Sequence, residues 1–246
     1  MHSSTVNSNP VQVGLTTVAL LAAGFLLRTL EAPAGAAAAW RSEQLATLAG
    51  QAGATAVFGG LRSVAAGGFW LRANLAWERR DAAGTAALLE LTVAADERPV
   101  YFWLNGARML AYDMPEWLPV AAPRVVRQRV NEEQAQQALR FLEKGVRWHG
   151  ASADLYVEMA NIHLRRRGDL EAAARCYRLA AEQPGAPYYA ARIHAELLRE
   201  LGRPQAALDW LRQVLPTLPA DEPAARRDVV RARINTLEAE VRRTTP

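Results

Sequence analysis

Two residue types are nearly missing from this chain of 246 residues: Cys176 is its one cysteine and Lys144 its one lysine. A lone thiol excludes an intramolecular disulfide and any structural metal site built on cysteines. It does not identify a redox compartment. With lysine almost absent, arginine carries the net charge of +4. Alanine and arginine are favoured along the whole chain, so the basic pI is a property of composition and not the footprint of a nucleic-acid patch. The densest run of like charge is only Arg165-Arg166-Arg167. No sustained period-2 alternation appears, which removes the signal for half-buried strands. Half of the residues are hydrophobic, which is too many for a disordered chain.

Catalytic signatures are also lacking. The four histidines are His2, His149, His163 and His194. None belongs to a helical H-E-x-x-H pair. His194-Ala195-Glu196 matches half of a zinc deaminase signature, but no P-C-x-x-C half accompanies it. His163 and His194 fall on the first helices of adjacent repeats, where packing or solvation is the simpler role. There is no G-x-S-x-G elbow. The glycines of GGLRSVAAGG lack the Lys-Ser/Thr ending of a phosphate loop. Glu132, Glu133, Asp221 and Glu222 suit helix starts better than acid–base pairs. Cys176 reads as a small packing residue. The expectation is a non-enzyme with no cofactor and no bound metal.

The residues that are present begin with an apolar N-terminal segment, Val11–Leu27, which contains no charged side chain. As a helix it spans roughly 26 Å at about 1.5 Å per residue, slightly less than a bilayer core. Three readings stand: a single-pass anchor over 1–28, a cleaved signal peptide with Ala32-Pro33-Ala34 as its small-residue site, and a buried core helix. Arg28 and Arg41 come after the segment and no Lys or Arg precedes it, which leans towards a cytoplasmic C-terminal region. Residues 29–66 form an Ala/Gly-rich linker with short helices. APAGAAAA at 32–39 is a spacer, and an amphipathic helix is predicted over 40–48. The pairs Gly59-Gly60 and Gly67-Gly68 predict breaks or close helix contacts.

The remainder shows a period. Gly168 and Gly202 are 34 residues apart, as are Ala173 and Ala207, Tyr177 and Leu211, and Ala180 and Val214. Pro184 and Pro219 close the two units. The register extends backwards through Trp70 and Trp103, with Asp81 where glycine is expected, Ala86 at the small position and Pro99 at the close. Ala138, Leu142 and Gly145 repeat the second-helix spacing half a unit late, which predicts an irregular insertion over 114–130 containing Pro115, Pro119, Pro123, Arg124, Arg127 and Arg129. The predicted units are 67–99, 100–153, 154–187 and 188–221. A capping helix over 222–243 comes last, started by Asp221 and Pro223, with Val229, Ile234, Leu237 and Val241 as its apolar stripe.

This period and its A-x-x-x-F…P pattern resemble the tetratricopeptide repeat, over residues 67 to 243. The block FGGLRSVAAGGFWLRANLAWERRD, with DERPVYFWLNGARMLAYD after it, resembles a group of bacterial membrane-anchored tetratricopeptide proteins. The resemblance implies an all-α fold, a right-handed α-solenoid of helix-turn-helix units, a function in protein–protein interaction, and repeats on the periplasmic side of the bacterial inner membrane. It also implies a concave groove lined by the first helix of each unit. Helical spacing then places Tyr101, Leu104, Arg108 and Tyr112, next Leu155, Glu158, Ile162 and Arg165, and finally Tyr189, Arg192, Glu196 and Arg199 on that face. Aromatic rings and arginine forks suit an acidic or C-terminal-carboxylate peptide. Trp117, in the insertion, is either an exposed anchor for a partner or tucked under its own loop. The function expected is a membrane-anchored scaffold binding a peptide or subunit. The alternative is arginine-mediated binding to an anionic polymer or membrane surface through Arg124, Arg127, Arg129 and the final helix.

Overall fold

The computed structural model describes residues 54–150 and 152–244. The apolar segment Val11–Leu27, the spacer and the helix expected at 40–48 lie outside the described residues. The chain divides into two units, 1–65 and 66–246. Among the described residues all regular structure is helical, and no helix is long and apolar enough to cross a membrane.

Helix α1, Ala54–Glu78, begins in the first unit and runs into the second. It is followed by α2, Ala82–Ala95, and α3, Val100–Arg108. α3 continues through a π-turn, Met109–Asp113, and a 3-10 turn, Met114–Trp117. α4 is Arg124–His149 and α5 is Ala153–Ile162, the latter extended by a π-turn at His163–Arg167. Then come α6, Leu170–Ala181, α7, Tyr188–Glu200, α8, Pro204–Val214, and α9, Arg227–Thr244. From α3 onward each helix packs on the next, and α3 also touches α5.

Three of the turns between successive helices share one chemistry. A residue in the left-handed region ends the first helix, and the next residue starts the second. Gly168 (φ 65°) precedes Asp169, whose carboxylate accepts from the Ala172 amide at 2.9 Å. Gly202 (φ 74°) precedes Arg203. In the α1–α2 turn the left-handed residue is Arg80 (φ 57°), and Asp81 caps α2 by accepting from Gly84 N. The expected equivalence is therefore one residue out: Arg80, not Asp81, stands in the glycine position. The small position moves with it, from Ala86 to the fully buried Thr85. Ala173 and Ala207 hold the matching places in α6 and α8. Both are 0% exposed, and their amides donate to Asp169 O and Arg203 O. Ala207→Leu has no room to expand, and thermal melts should show about 1–3 kcal/mol of destabilisation. A neutral effect contradicts this register.

Three sequence expectations fail. α1 runs unbroken through both glycine pairs, and a Cβ built at Gly60 or Gly67 meets no atom within 4 Å. Glycine costs a helix about 1 kcal/mol relative to alanine. Here the aromatic packing of Trp70 on Phe102 (5.3 Å between ring centres) and the hydrogen bond from Trp77 Nε1 to Asp113 (3.1 Å) offset that cost. The insertion is smaller than expected, because Arg124–Val130 forms the opening turns of α4. Finally, Asp221 does not cap the last helix. Pro223–Ala225 is a separate 3-10 turn, Arg226 is left-handed, and α9 starts at Arg227. The buried stripe is Val230, Ile234 and Leu237, with Val229 rotated partly outward.

One core joins Leu89, Trp103, Phe141, Leu142, Leu155 and Ile162. A second centres on Ala173 and Tyr177, and a third on Ala207, Leu211, Val230 and Leu237.

Candidate polar site on helices α3, α5 and α7

The two π-turns carry three side chains of this site, Tyr112, Arg165 and Arg166. A π-turn closes with an i→i+5 hydrogen bond and inserts an extra residue into the helix, which re-aims the side chains beyond it. In the first, the Met114 amide donates to Met109 O, and the turn carries Tyr112. In the second, the Gly168 amide donates to His163 O, and the turn carries Arg165 and Arg166.

At the centre lies Glu158 of α5, a carboxylate only 4% exposed. Arg108 of α3 donates to its Oε2 through both Nε and Nη2, each at 2.9 Å. This bond ties α3 to α5 across 50 residues of sequence. Tyr112 stands beside the pair. Its hydroxyl oxygen is enclosed and has no hydrogen-bond partner among the described residues. Burial, and then the negative charge of Glu158, push this phenol up to about 12. Tyr112 therefore stays protonated at neutral pH and acts as a donor, not as a base. The Arg166 guanidinium lies 5.8 Å from the centre of the Tyr112 ring, with Nη2 3.6 Å from Glu116.

Arg165 completes the site. Its positive charge acts to lower the pKa of both Tyr112 and Tyr177. It is exposed and makes no hydrogen bond or ion pair among the described residues. Tyr177, on α6, donates to Asn161 Oδ1 at 2.8 Å. Burial raises its pKa, with smaller contributions in the same direction from Tyr189 and Glu158. Tyr189, on α7, is 43% exposed. Three guanidinium groups, on Arg108, Arg165 and Arg166, thus face two carboxylates, Glu158 and Glu116. The surplus is one positive charge, flanked by phenols. Such an arrangement recognises a carboxylate through a charged fork. It contains no activated nucleophile.

The expected groove residues divide into groups. Arg108 and Glu158 are bonded, and their charges and that of Arg165 act on Tyr112, whereas Tyr189 acts on Tyr177. Ile162 does not join them: like Leu155 it is 0% exposed and belongs to the core. Tyr101 is 57% exposed, with its ring edge-on to Trp70 at 5.4 Å. Trp117 is partly buried and packs against the first core. Arg192 turns towards α9, donating to Ala225 O at 3.3 Å, and burial lowers its pKa. Arg199 pairs with Glu196 at 2.7 Å, and Glu196 also meets Arg233 at 2.8 Å. Arg192 and Arg199 thus contribute mainly to docking the last helix.

Sequence reasoning did not include Tyr177, Asn161 and Arg166 in the site. Tyr177 had a packing role, which it also fills at 2% exposure. Arg166 lies in the arginine run, where only the π-turn decides which of three neighbours points where. His163 and His194 have different partners. His163 lies 3.9 Å from Asp169, whereas His194 hydrogen-bonds Ala174 O. No group of three or more metal-ligating side chains occurs among the described residues. Cys176 is buried, which pushes its thiol up to about 11. No protein-family model matches the chain, and neither does any curated protein.

Proposed function

We propose that this chain is a tetratricopeptide-like interaction scaffold that binds an acidic peptide of a partner protein and performs no catalysis. In this reading α1–α8 stack as four helix pairs into a right-handed solenoid, capped by α9. Val11–Leu27 anchors it in a bacterial inner membrane, with the repeats on the periplasmic side. The recurring pairs Arg80-Asp81, Gly168-Asp169 and Gly202-Arg203, at matching turns, support the repeat reading. The resemblance of the N-terminal half to membrane-anchored repeat proteins supports the location.

The observation that carries the function is Arg165: an exposed guanidinium with no partner among the described residues. A peptide carboxylate pairs with the Arg165 guanidinium. The partner's acidic segment would lie along α3, α5 and α7, with Tyr101 and Tyr189 as flanking aromatic surface.

The test is co-purification of partners from detergent-solubilised membranes. Arg165→Glu keeps the helix and inverts the charge, without touching the Arg108–Glu158 bond. Loss of the wild-type partner set, restored by Arg165→Lys to an intermediate level, is the expected result. Unchanged partners with Arg165→Glu exclude this face. The alternative, arginine-mediated adhesion to an anionic polymer or membrane surface, draws in part on groups already engaged. Arg127 donates to the Pro119, Val120 and Ala122 carbonyls, and Arg129 pairs with Glu133 at 2.8 Å. That reading predicts binding that weakens steeply with salt.

A further inference from the structure

A second recess lies between α6 and α8, floored by α7. Its volume is about 510 Å³. His194 and Leu198, one turn apart on α7, form the floor. At 100° per residue His194 points about 140° away from Tyr189, and none of the polar-site residues lines the recess. It exists because Ala174 of α6 and Ala206 of α8 face each other across the floor and neither fills it.

The floor is a neutral acceptor. His194 Nδ1 donates to Ala174 O at 2.8 Å, since a carbonyl only accepts. The ring stands edge-on to Trp210, 4.8 Å between centres, and Trp210 Nε1 is itself bonded to Ala191 O at 2.9 Å. Burial, and then the charge of Arg178, hold the imidazole below the usual histidine range. Nε2 therefore offers a lone pair, and no donor among the described residues reaches it. The walls are charged. Arg175 and Arg178 stand on the α6 side, and Asp209 and Gln213 on the α8 side. One end is closed by Arg203 Nη1 donating to Glu171 at 2.9 Å. Arg178 is held only loosely, by Glu182 at 3.5 Å, and Arg175 is exposed with no partner among the described residues.

We propose that the recess over His194 is a second peptide-binding site, for a segment carrying a tyrosine beside an acidic residue. The phenol ring lies on Leu198, Ala174, Ala206 and the edge of Trp210. Its hydroxyl donates to His194 Nε2, and the neighbouring carboxylate meets Arg175 and Arg178. An apolar floor with one acceptor at its base selects a ring tipped with a donor. A phenylalanine in the same place leaves that acceptor dry and unpaired. The site is independent of the reading given to Arg165.

The test uses the full chain in detergent and two end-blocked tripeptides, Glu-Tyr-Glu and Glu-Phe-Glu. The readout is the imidazole nitrogen resonances of His194 in proton–nitrogen correlation spectra. A saturable shift of Nε2 with the tyrosine peptide is expected, with the phenylalanine peptide about three- to tenfold weaker, as one net hydrogen bond implies. Ala206→Trp, which fills the recess from an exposed position, abolishes the shift. Arg175→Glu weakens binding by a similar factor, and Arg165→Glu leaves it unchanged. A shift that does not saturate overturns the proposal. So does equal binding of the two peptides, or binding that survives Ala206→Trp in a chain with wild-type thermal stability.

Discussion

Replacing Trp103 by alanine lowers the stability of the full chain by about 3–5 kcal/mol, the range for deleting a large buried aromatic. Trp103 is 2% exposed. Its ring centre lies 4.9 Å from that of Phe141, and it rests directly on the backbone of α4: a Cβ at Gly145 would stand 3.0 Å from the indole. Glycine at 145 is what lets a ring of this size fit between α3 and α4. The indole nitrogen donates to Glu97 O at 2.8 Å, and His149 Nε2 reaches the same carbonyl at 2.9 Å. One side chain therefore holds α3, the end of α4 and the segment before α3 together. Alanine leaves a cavity walled by two helices that cannot collapse onto it, since Leu89, Leu142 and Ile162 are already packed in the same core. Trp103→Phe keeps most of the ring and loses the hydrogen bond, so its expected cost is smaller, about 1–3 kcal/mol. Urea unfolding followed by circular dichroism measures both. A change under about 1 kcal/mol for the alanine variant contradicts the packing described.

The second large effect is electrostatic. Arg108→Leu strands Glu158, a carboxylate 4% exposed, without its counter-ion. Breaking a fully buried pair in this way costs about 3–5 kcal/mol. Arg108 keeps half of its side chain in water, so the expected loss is lower, about 2–3 kcal/mol. The same reasoning gives the sign of the double variant. Glu158→Gln added to Arg108→Leu removes the stranded charge and recovers most of the loss, since a buried ion pair replaced as a unit is often near neutral. A double variant as unstable as Arg108→Leu alone shows that Arg108 contributes packing of its stem and not charge pairing. If the polar site binds acidic peptides, the double variant also separates the two roles: stability returns while affinity stays low.

The helix pairs α5–α6 and α7–α8 were legible because their signal is steric and local. Small residues recur at a fixed interval, a left-handed glycine ends each first helix, and a helix starter comes next. Where another residue takes that place, as Arg80 does, the register slipped by one. Composition does not reveal that an arginine has accepted φ 57°. The start of α4 was hidden for a related reason. Arg124 to Arg129 are all exposed and carry no apolar period, so nothing in them marks a helix. α1 misled in the opposite direction, since its glycines forbid nothing once Trp70 and Trp77 hold the helix in place.

The sequence by itself determined the helical class, the buried alanines Ala173 and Ala207 at equivalent places, and Arg108, Tyr112, Glu158 and Arg165 as residues of the polar site. These are consequences of side-chain size and of the 3.6-residue helical repeat, both of which are written along the chain. Tertiary structure alone decided that Ile162 faces the core, that Arg192 and Arg199 serve the last helix, and that Tyr177 and Arg166 join the site. Each of those outcomes depends on a π-turn or on a neighbouring helix. An extra residue in a helical turn carries no propensity signal of its own, and it forms only where packing against a second element repays the distortion.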